Sequence, residues 1–473
     1  MARITVLGAG MNGLTTAMLL ARDGHQVTVL ERDPAEPPAL EQAWEQWERK
    51  GVGQFRRAHY MLPRWRAEIQ ESLPEVLDEL LAAGGRRFNV IAAVPEERRG
   101  PLRPDDARFE TITARRPVLE AVLARVAEEA LGLRIRRGVA VTGFVPGTPT
   151  APEMPHVAGV RTADGEQIAG DLVVDCRGRR AHLTDWLCAI GARPAVEERE
   201  DSGFIYYGRH FRSADGAMPP VMGPLLQHYA PFSTLTLPGD NGTWSMVLTT
   251  HSADRPLRAL RDPVAWHAAV ARCPMVAHWA VAPGVEPITD VDVMAGLDDR
   301  HRSLFIDGEP VVTGVVLVGD AWACTNPSLG RGTSIGAVHA RLLQQVLREV
   351  DLDDPEKVVR RFDDVTGAVV EPLYRATVTF DRHRLAELAG EIDGMPYESG
   401  DPRWVLAKAL SSAALIDPDA LRLFLRSSLL LEPPQQLFAD PAVAQRVLSL
   451  GGGGPRYPLP GPTRAEVLEA IGA

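Results

Sequence analysis

The 473-residue sequence predicts an α/β protein: a parallel sheet with crossover helices, drawn from separated segments, an inserted all-β interval, and a helical C-terminal region. Three observations carry this. A strand, glycine turn, helix and second strand open the chain. A strand followed by a glycine-rich turn and a helix recurs around Gly319, and alternating apolar segments broken by Pro and Gly precede it.

The first element, ITVLGAGMNGLTTAMLLARDGHQVTVLERD, spans residues 4–33. Ile4 to Leu7 is a short apolar strand, Leu14 to Arg22 has helical spacing, Gly24 ends the helix, and Val27 to Leu30 is the second strand. Gly8 permits the tight turn, Gly10 lets the backbone approach a pyrophosphate, and Gly13 allows the helix to pack closely on the strand, with phosphates at the positive helix end. Ala17 keeps the next turn small. Glu31 ends the second strand, where a carboxylate accepts hydrogen bonds from a ribose diol, and Arg32 beside it joins the cofactor-binding set. These features predict a Rossmann-like dinucleotide site but do not separate FAD from NAD(P), since both contain an ADP half. The acidic segment at residues 33–51 reads as a solvated insertion, with Trp44 and Trp47 on one face of a short helix.

The interval 191–294 contains the strand-like runs GFIYYGRHFRS, FSTLTLP and GTWSMVLTT. Its conspicuous side chains are Tyr206, Tyr207, His210, His228, Tyr229 and Trp244. Of these, Tyr206, His210, His228 and Trp244 are the substrate-contact candidates; the period-two pattern alone does not say which face looks inward.

The stretch GDAWACTNPSLGRGTSIG, Gly319 to Gly336, follows the apolar strand Val315 to Val318. Asp320 at a strand end can bind the hydroxyls of a sugar alcohol. The turn then presents backbone N–H groups and the start of a helix, near Thr333, to an electron-rich oxygen. That helix carries Ile335, Val338, Leu342 and Val346 on one face. From about Asp353 onward the chain reads helical, with Pro and Gly at the ends and no repeat of fixed period.

A net charge of −11 and a pI near 5.6 argue against nucleic acid or an anionic membrane as partner. Lysine occurs only at Lys50, Lys357 and Lys408. Four cysteines without C-x-x-C spacing predict neither a disulfide framework nor a metal site. With no run of membrane-helix length and no signal-peptide core, a soluble cytoplasmic protein is the expected setting.

The second glycine stretch resembles the flavoprotein monooxygenases of the para-hydroxybenzoate hydroxylase fold, whose pattern G-D-A-A-H-x-x-x-P-x-x-G-x-G-x-N-x-G is matched by Gly319, Asp320, Ala321, Pro327, Gly330, Gly332 and Gly336. Departures are Trp322 and Ala323 in place of Ala-His, and Ser334 in place of Asn. The resemblance implies a Rossmann-like FAD-binding domain built from residues 1–85, 102–190 and 295–350, a substrate-binding sheet domain at 191–294, and a C-terminal helical region at 351–473. It further implies that Gly319 and Asp320 hold the ribityl chain, that Thr333 and Ser334 contact FAD, and that Pro327, Gly330 and Gly332 form the turn at the reacting ring with no side-chain nucleophile. Arg56, in GVGQFRRAHYMLPR, and Arg116, in ARRPVLEAVLARVAEEA, resemble the family's FAD-contacting arginines.

A third match is DLVVDCRGRRAHLTDWL, in which Arg177 replaces the motif aspartate and Asp175 and Arg179 give the D-x-x-G-R form of styrene-type epoxidases and flavin halogenases. This lowers the expectation of direct reduction by NAD(P)H and raises that of a separate flavin reductase. The implied activity is oxygen insertion from dioxygen, through a flavin C4a-hydroperoxide, into an apolar or aromatic small molecule of secondary metabolism, by epoxidation or hydroxylation. The alternatives are a halogenase, for which no lysine lies between residues 51 and 356, a flavin reductase or dehydrogenase, and a non-catalytic flavoprotein.

Overall fold

The computed structural model describes residues 1–473 apart from Pro152, Ala181 and His182, and only the backbone of Arg180. Ala181 and His182 of the third motif therefore lie outside the described residues. Five parallel strands form the predicted sheet in the order Val315–Leu317, Leu172–Asp175, Arg3–Leu7, Gln26–Glu31, Leu133–Arg137. The apolar runs of the inner strands suit coverage on both faces, whereas the edge strand Leu133–Arg137, LRIRR, is only partly buried. Ile4, Val6, Val27 and Val29 share one core with residues of the Met11–Arg22, Arg116–Glu129 and Gly332–Glu349 helices. Gly13 makes the first helix fit: a Cβ there would lie 1.9 Å from the Gly8 carbonyl oxygen.

Glycine serves a second close contact. Asn12, on the first helix, projects between the Gly319 turn and the Gly332–Glu349 helix, so a Cβ at either Gly319 or Gly336 would come within 2.2 Å of its amide. The chain turns after Leu7, Glu31, Asp175 and Leu317 all lie at the carboxyl edge of the sheet, where open α/β sheets bind ligands.

The interval expected to be a sheet forms a second, antiparallel sheet, the central sheet, of Leu226–His228, Ser233–Pro238, Thr243–His251 and Phe204–Ser213, with Val285–Pro287 and Asp292–Met294 pairing the last. Alternation along Phe204–Ser213 resolves its two faces. Tyr207 and Phe211 join Trp244, Trp266 and Trp279 in a core beneath the Pro263–Ala271 helix, whereas Phe204 and Tyr206 face the opposite side with Leu388. The C-terminal part supplies helices including Glu371–Asp393, Pro402–Ala413 and Pro418–Ser428, and the last, Arg464–Ile471, returns to the central sheet through buried Val467 and an Arg464–Asp254 ion pair of 2.8 Å. Among the described residues, no helix is long and apolar enough to cross a membrane.

The acidic segment at 33–51 is corrected by the structure. Trp44, Trp47 and Arg49 are buried, not solvated. Trp44 lies under the Arg115 guanidinium at 4.3 Å and Trp47 meets Phe55 edge-on, so aromatic surface outweighs the local acidity.

Candidate flavin and substrate cavity

A cavity of about 1300 Å³ takes its lining from both glycine turns, the central sheet and the C-terminal helices. The N-terminal turn contributes Gly8, Gly10 and Glu31. Gly8 has φ +99°, which favours glycine. A Cβ at Gly10 would meet only Arg49, at 4.0 Å, so the space before it belongs to the cavity rather than to protein packing.

Glu31 is held in place by Ala9 N–H at 2.8 Å, Asp33 N–H at 2.9 Å and Arg49 at 2.5 Å. Arg49 also reaches Glu120 at 2.5 Å, and Glu120 accepts from Arg116 at 2.6 Å. Burial disfavours the charge on Glu120, but Arg116 and Arg49 together hold its carboxyl below the ordinary range. Arg32 lines the cavity beside this chain of ions, as does Arg116, whose Nη1 lies 3.3 Å from Nε2 of His59. Burial, aided by Arg116, lowers His59 to about 4 and keeps it neutral.

Asp320 opens onto the same cavity. Burial raises its carboxyl above the ordinary range, while Arg116 and Arg179 pull it down. Its hydrogen-bond contact among the described residues is the Cys324 thiol at 3.8 Å, leaving a deep carboxylate with acceptor capacity for a hydroxylated ligand. The backbone that carries it is fixed from behind: Gly319 N–H donates to Nδ1 of His339, whose Nε2 then donates to Thr366. Trp322, one of the departures, packs edge-on against His339 and points away from the cavity lining.

Pro327, Gly330, Gly332 and Thr333 line the cavity at the turn before the Gly332–Glu349 helix, and Gly330 adopts φ +63°. Behind the turn is a buried polar network. Asn326 accepts from the Tyr206 hydroxyl, donates its amide to Asp381 at 3.2 Å, and donates its N–H to Asp299 at 2.6 Å. Ser328 donates to Asp381 at 2.5 Å, and Arg331 donates to Thr377 at 3.2 Å.

Several sequence candidates fall elsewhere. Arg56 turns away from the cavity and donates to the Glu45 and Trp47 carbonyls; its neighbour Arg57 lines the cavity instead. Ser334 is fully buried within the helix and does not line the cavity; its hydroxyl has no partner among the described residues. Of the four substrate candidates, His228 borders the cavity. Tyr206 sits behind the turn, His210 packs on Trp44 at 4.8 Å, and Trp244 lies in the opposite core, donating to the Trp279 carbonyl at 2.8 Å. Strand alternation separates Trp244 from the cavity side.

The remaining wall is apolar, with Leu226, Leu235, Leu237, Phe380, Trp404 and Leu425 prominent. Lys408, Arg331, Arg49 and His59 also line it; Arg331 and His59 lie inside the quoted motif stretches, whereas the sequence alone marks neither Lys408 nor Arg49. Lys408 is an exception to the expectation that no lysine is available, because the C-terminal helices reach back over the sheet. No local pattern signals Lys408 or Arg49, since each is brought to the cavity by packing between segments distant along the chain.

These residues fit FAD: a glycine cradle at one turn, an under-used carboxylate at the other, and a single cavity between them. The family described as FAD dependent oxidoreductase matches residues 3–89. Protein Rv3254 of Mycobacterium tuberculosis is 26% identical over 93% of this chain and 92% of its own length. D-amino acid dehydrogenase 2 of Ralstonia nicotianae is 28% identical over 46% of this chain and 58% of its own. Among solved structures, PqsL from Pseudomonas aeruginosa (TM-score 0.54, 18% identity, 83% of this chain and 99% of that one) and 2-methyl-3-hydroxypyridine-5-carboxylic acid oxygenase (0.56, 17%, 82% and 93%) share the fold. So does the flavin-dependent brominase Bmp2 (0.55, 15%, 95% and 93%). At these identities the structural likeness is one of fold, that of the para-hydroxybenzoate hydroxylase type.

Proposed function

We propose that this chain, an FAD-dependent oxidoreductase by its N-terminal domain and fold, is a monooxygenase that inserts one oxygen atom into an apolar or aromatic small molecule by epoxidation or hydroxylation. The observation that carries the reading is the continuity of one cavity from the Gly8 turn, past Asp320 and the Pro327–Gly332 turn, into an apolar chamber. Bound there, FAD in its reduced form supplies the activation of dioxygen.

The protein's part is position and exclusion of water. Glu31, locked by Arg49, would accept from ribose hydroxyls on its cavity side, and Asp320 would accept from the ribityl chain. Gly332 and Thr333 present the positive end of an 18-residue helix, which stabilises nearby negative charge by ~0.3–1 kcal/mol, and up to ~2 when partly buried. Leu235, Phe380 and Leu425 keep water from the reacting face. Arg177, which stands where the resembled motif has an aspartate, is engaged by Asp175 at 2.7 Å and stacked over Trp186 at 3.8 Å; that replacement favours electron supply through a separate reductase over direct reduction by NAD(P)H.

Asp320→Ala tests the cofactor assignment: folded protein with little FAD is expected, and full occupancy after purification would reject it. Oxygen from labelled dioxygen in the product tests the reaction. Lys408 in the cavity favours halogenation as a second reading; bromide incorporation lost in Lys408→Met, in place of oxygen incorporation, would select it.

A further inference from the structure

We infer that the acceptor molecule carries a carboxylate on its apolar or aromatic body, and that Arg98 is its seat. This rests on the oxidoreductase reading above and names the substrate class of the same cavity.

Cations line the whole cavity, but carboxylates line only one end of it. Its acidic lining residues among those described, Glu31, Asp33, Asp185 and Asp320, all belong to the glycine turns and the segments flanking them. The chamber formed by the central sheet, the C-terminal helices and the Glu96–Arg99 turn is lined by Arg98, Lys408 and Arg456, with Arg331 at its glycine-turn end, and by no acid among the described residues. In a chain of net charge −11 this local excess is opposite to the whole.

These cations are not equivalent: Arg331 donates to Thr377 at 3.2 Å and feels the Asp381 carboxylate behind the turn. Lys408 is matched from behind by Glu387 at 3.0 Å, and Arg456 by Glu391 at 3.6 Å. Arg98 donates to the Met222 carbonyl at 3.1 Å and reaches no carboxylate among the described residues. Its neighbours contrast with it: Arg99, Arg103, Arg108 and Arg422 each pair with an acid. Burial alone lowers Arg98 from the ordinary arginine range, the mark of a half-buried cation without a counter-ion. A guanidinium can bind a carboxylate through two N–H donors, and one already fixed by Met222 leaves others free. His228, neutral through burial and bound to Ser233 at 2.8 Å, adds no competing charge.

The test compares acids with their neutral amides on FAD-loaded protein: naphthalene-2-carboxylate against naphthalene-2-carboxamide, and decanoate against decanamide, by calorimetry and by perturbation of the flavin absorbance. At least one acid is expected to bind about tenfold or more tightly than its amide, in line with a charge-assisted hydrogen bond. The preference should disappear in Arg98→Gln and persist in Arg98→Lys. Equal affinities, preference for the amides, no binding of any member, or a preference surviving Arg98→Gln would overturn the assignment. FAD occupancy and oxygen labelling are read separately, so failure here leaves the oxygenase reading standing.

Discussion

Asp381 offers a measurement of how the Pro327–Gly332 turn is supported. The residue is 2% exposed and holds Ser328 and Asn326 from the far side of the turn. Burial raises its carboxyl from 3.8 to about 7, with Asp299 adding to the rise and Ser328, Asn326 and Arg331 opposing it. Tyr206 faces it through Asn326, and Arg384 and His228 border the same small gap. The folded protein therefore keeps a proton that the unfolded chain releases. The resulting stability is fully present below pH ~4 and is lost as pH rises through 7. A tenfold difference in proton affinity between the folded and unfolded chain is worth about 1.36 kcal/mol, so the total loss comes to about 4 kcal/mol.

Between pH 5 and 8 the change amounts to about 2–3 kcal/mol. Asp381→Asn, which does not titrate, should gain that much relative to the parent over this range, whatever its starting difference, because the other titrating groups are common to both. Urea unfolding at pH 5, 6.5 and 8 with saturating FAD measures it. A stability difference independent of pH would refute the reasoning.

Three further outcomes are expected. Gly336→Ala should destabilise the fold by the ~1–3 kcal/mol of an overpacked core, read in urea unfolding, because its Cβ would meet the Asn12 amide; adding Asn12→Ala should recover much of the loss. Arg49→Met should cost about 3–5 kcal/mol in denaturant unfolding by leaving Glu31 and Glu120 buried without their shared cation, with partial recovery on adding Glu120→Gln. Stopped-flow absorbance should show NADPH alone bleaching the flavin far more slowly than NADPH with a flavin reductase; fast stoichiometric bleaching by NADPH alone would contradict the reading of Arg177.

What was legible in the sequence is what is local. The Arg3–Leu7 strand, the glycine turn and the Met11–Arg22 helix are written in consecutive residues, because a tight turn and a close helix leave few residue types at Gly8 and Gly13. Gly319 was legible as a motif position, yet its reason was not: the space it leaves is filled by Asn12, far back in the chain. Likewise Trp244 and His228 are equally conspicuous in the sequence, and only sheet register and the packing of helices from residue 371 onward send one to a core and the other to the cavity. The sequence determined the backbone conformations at the two turns through short-range sterics. Tertiary structure decided which charges meet, as with Arg49 between Glu31 and Glu120, and which cations, Arg98 among them, are left without an ion pair among the described residues, because Coulomb and desolvation energies depend on distances that chain order does not fix.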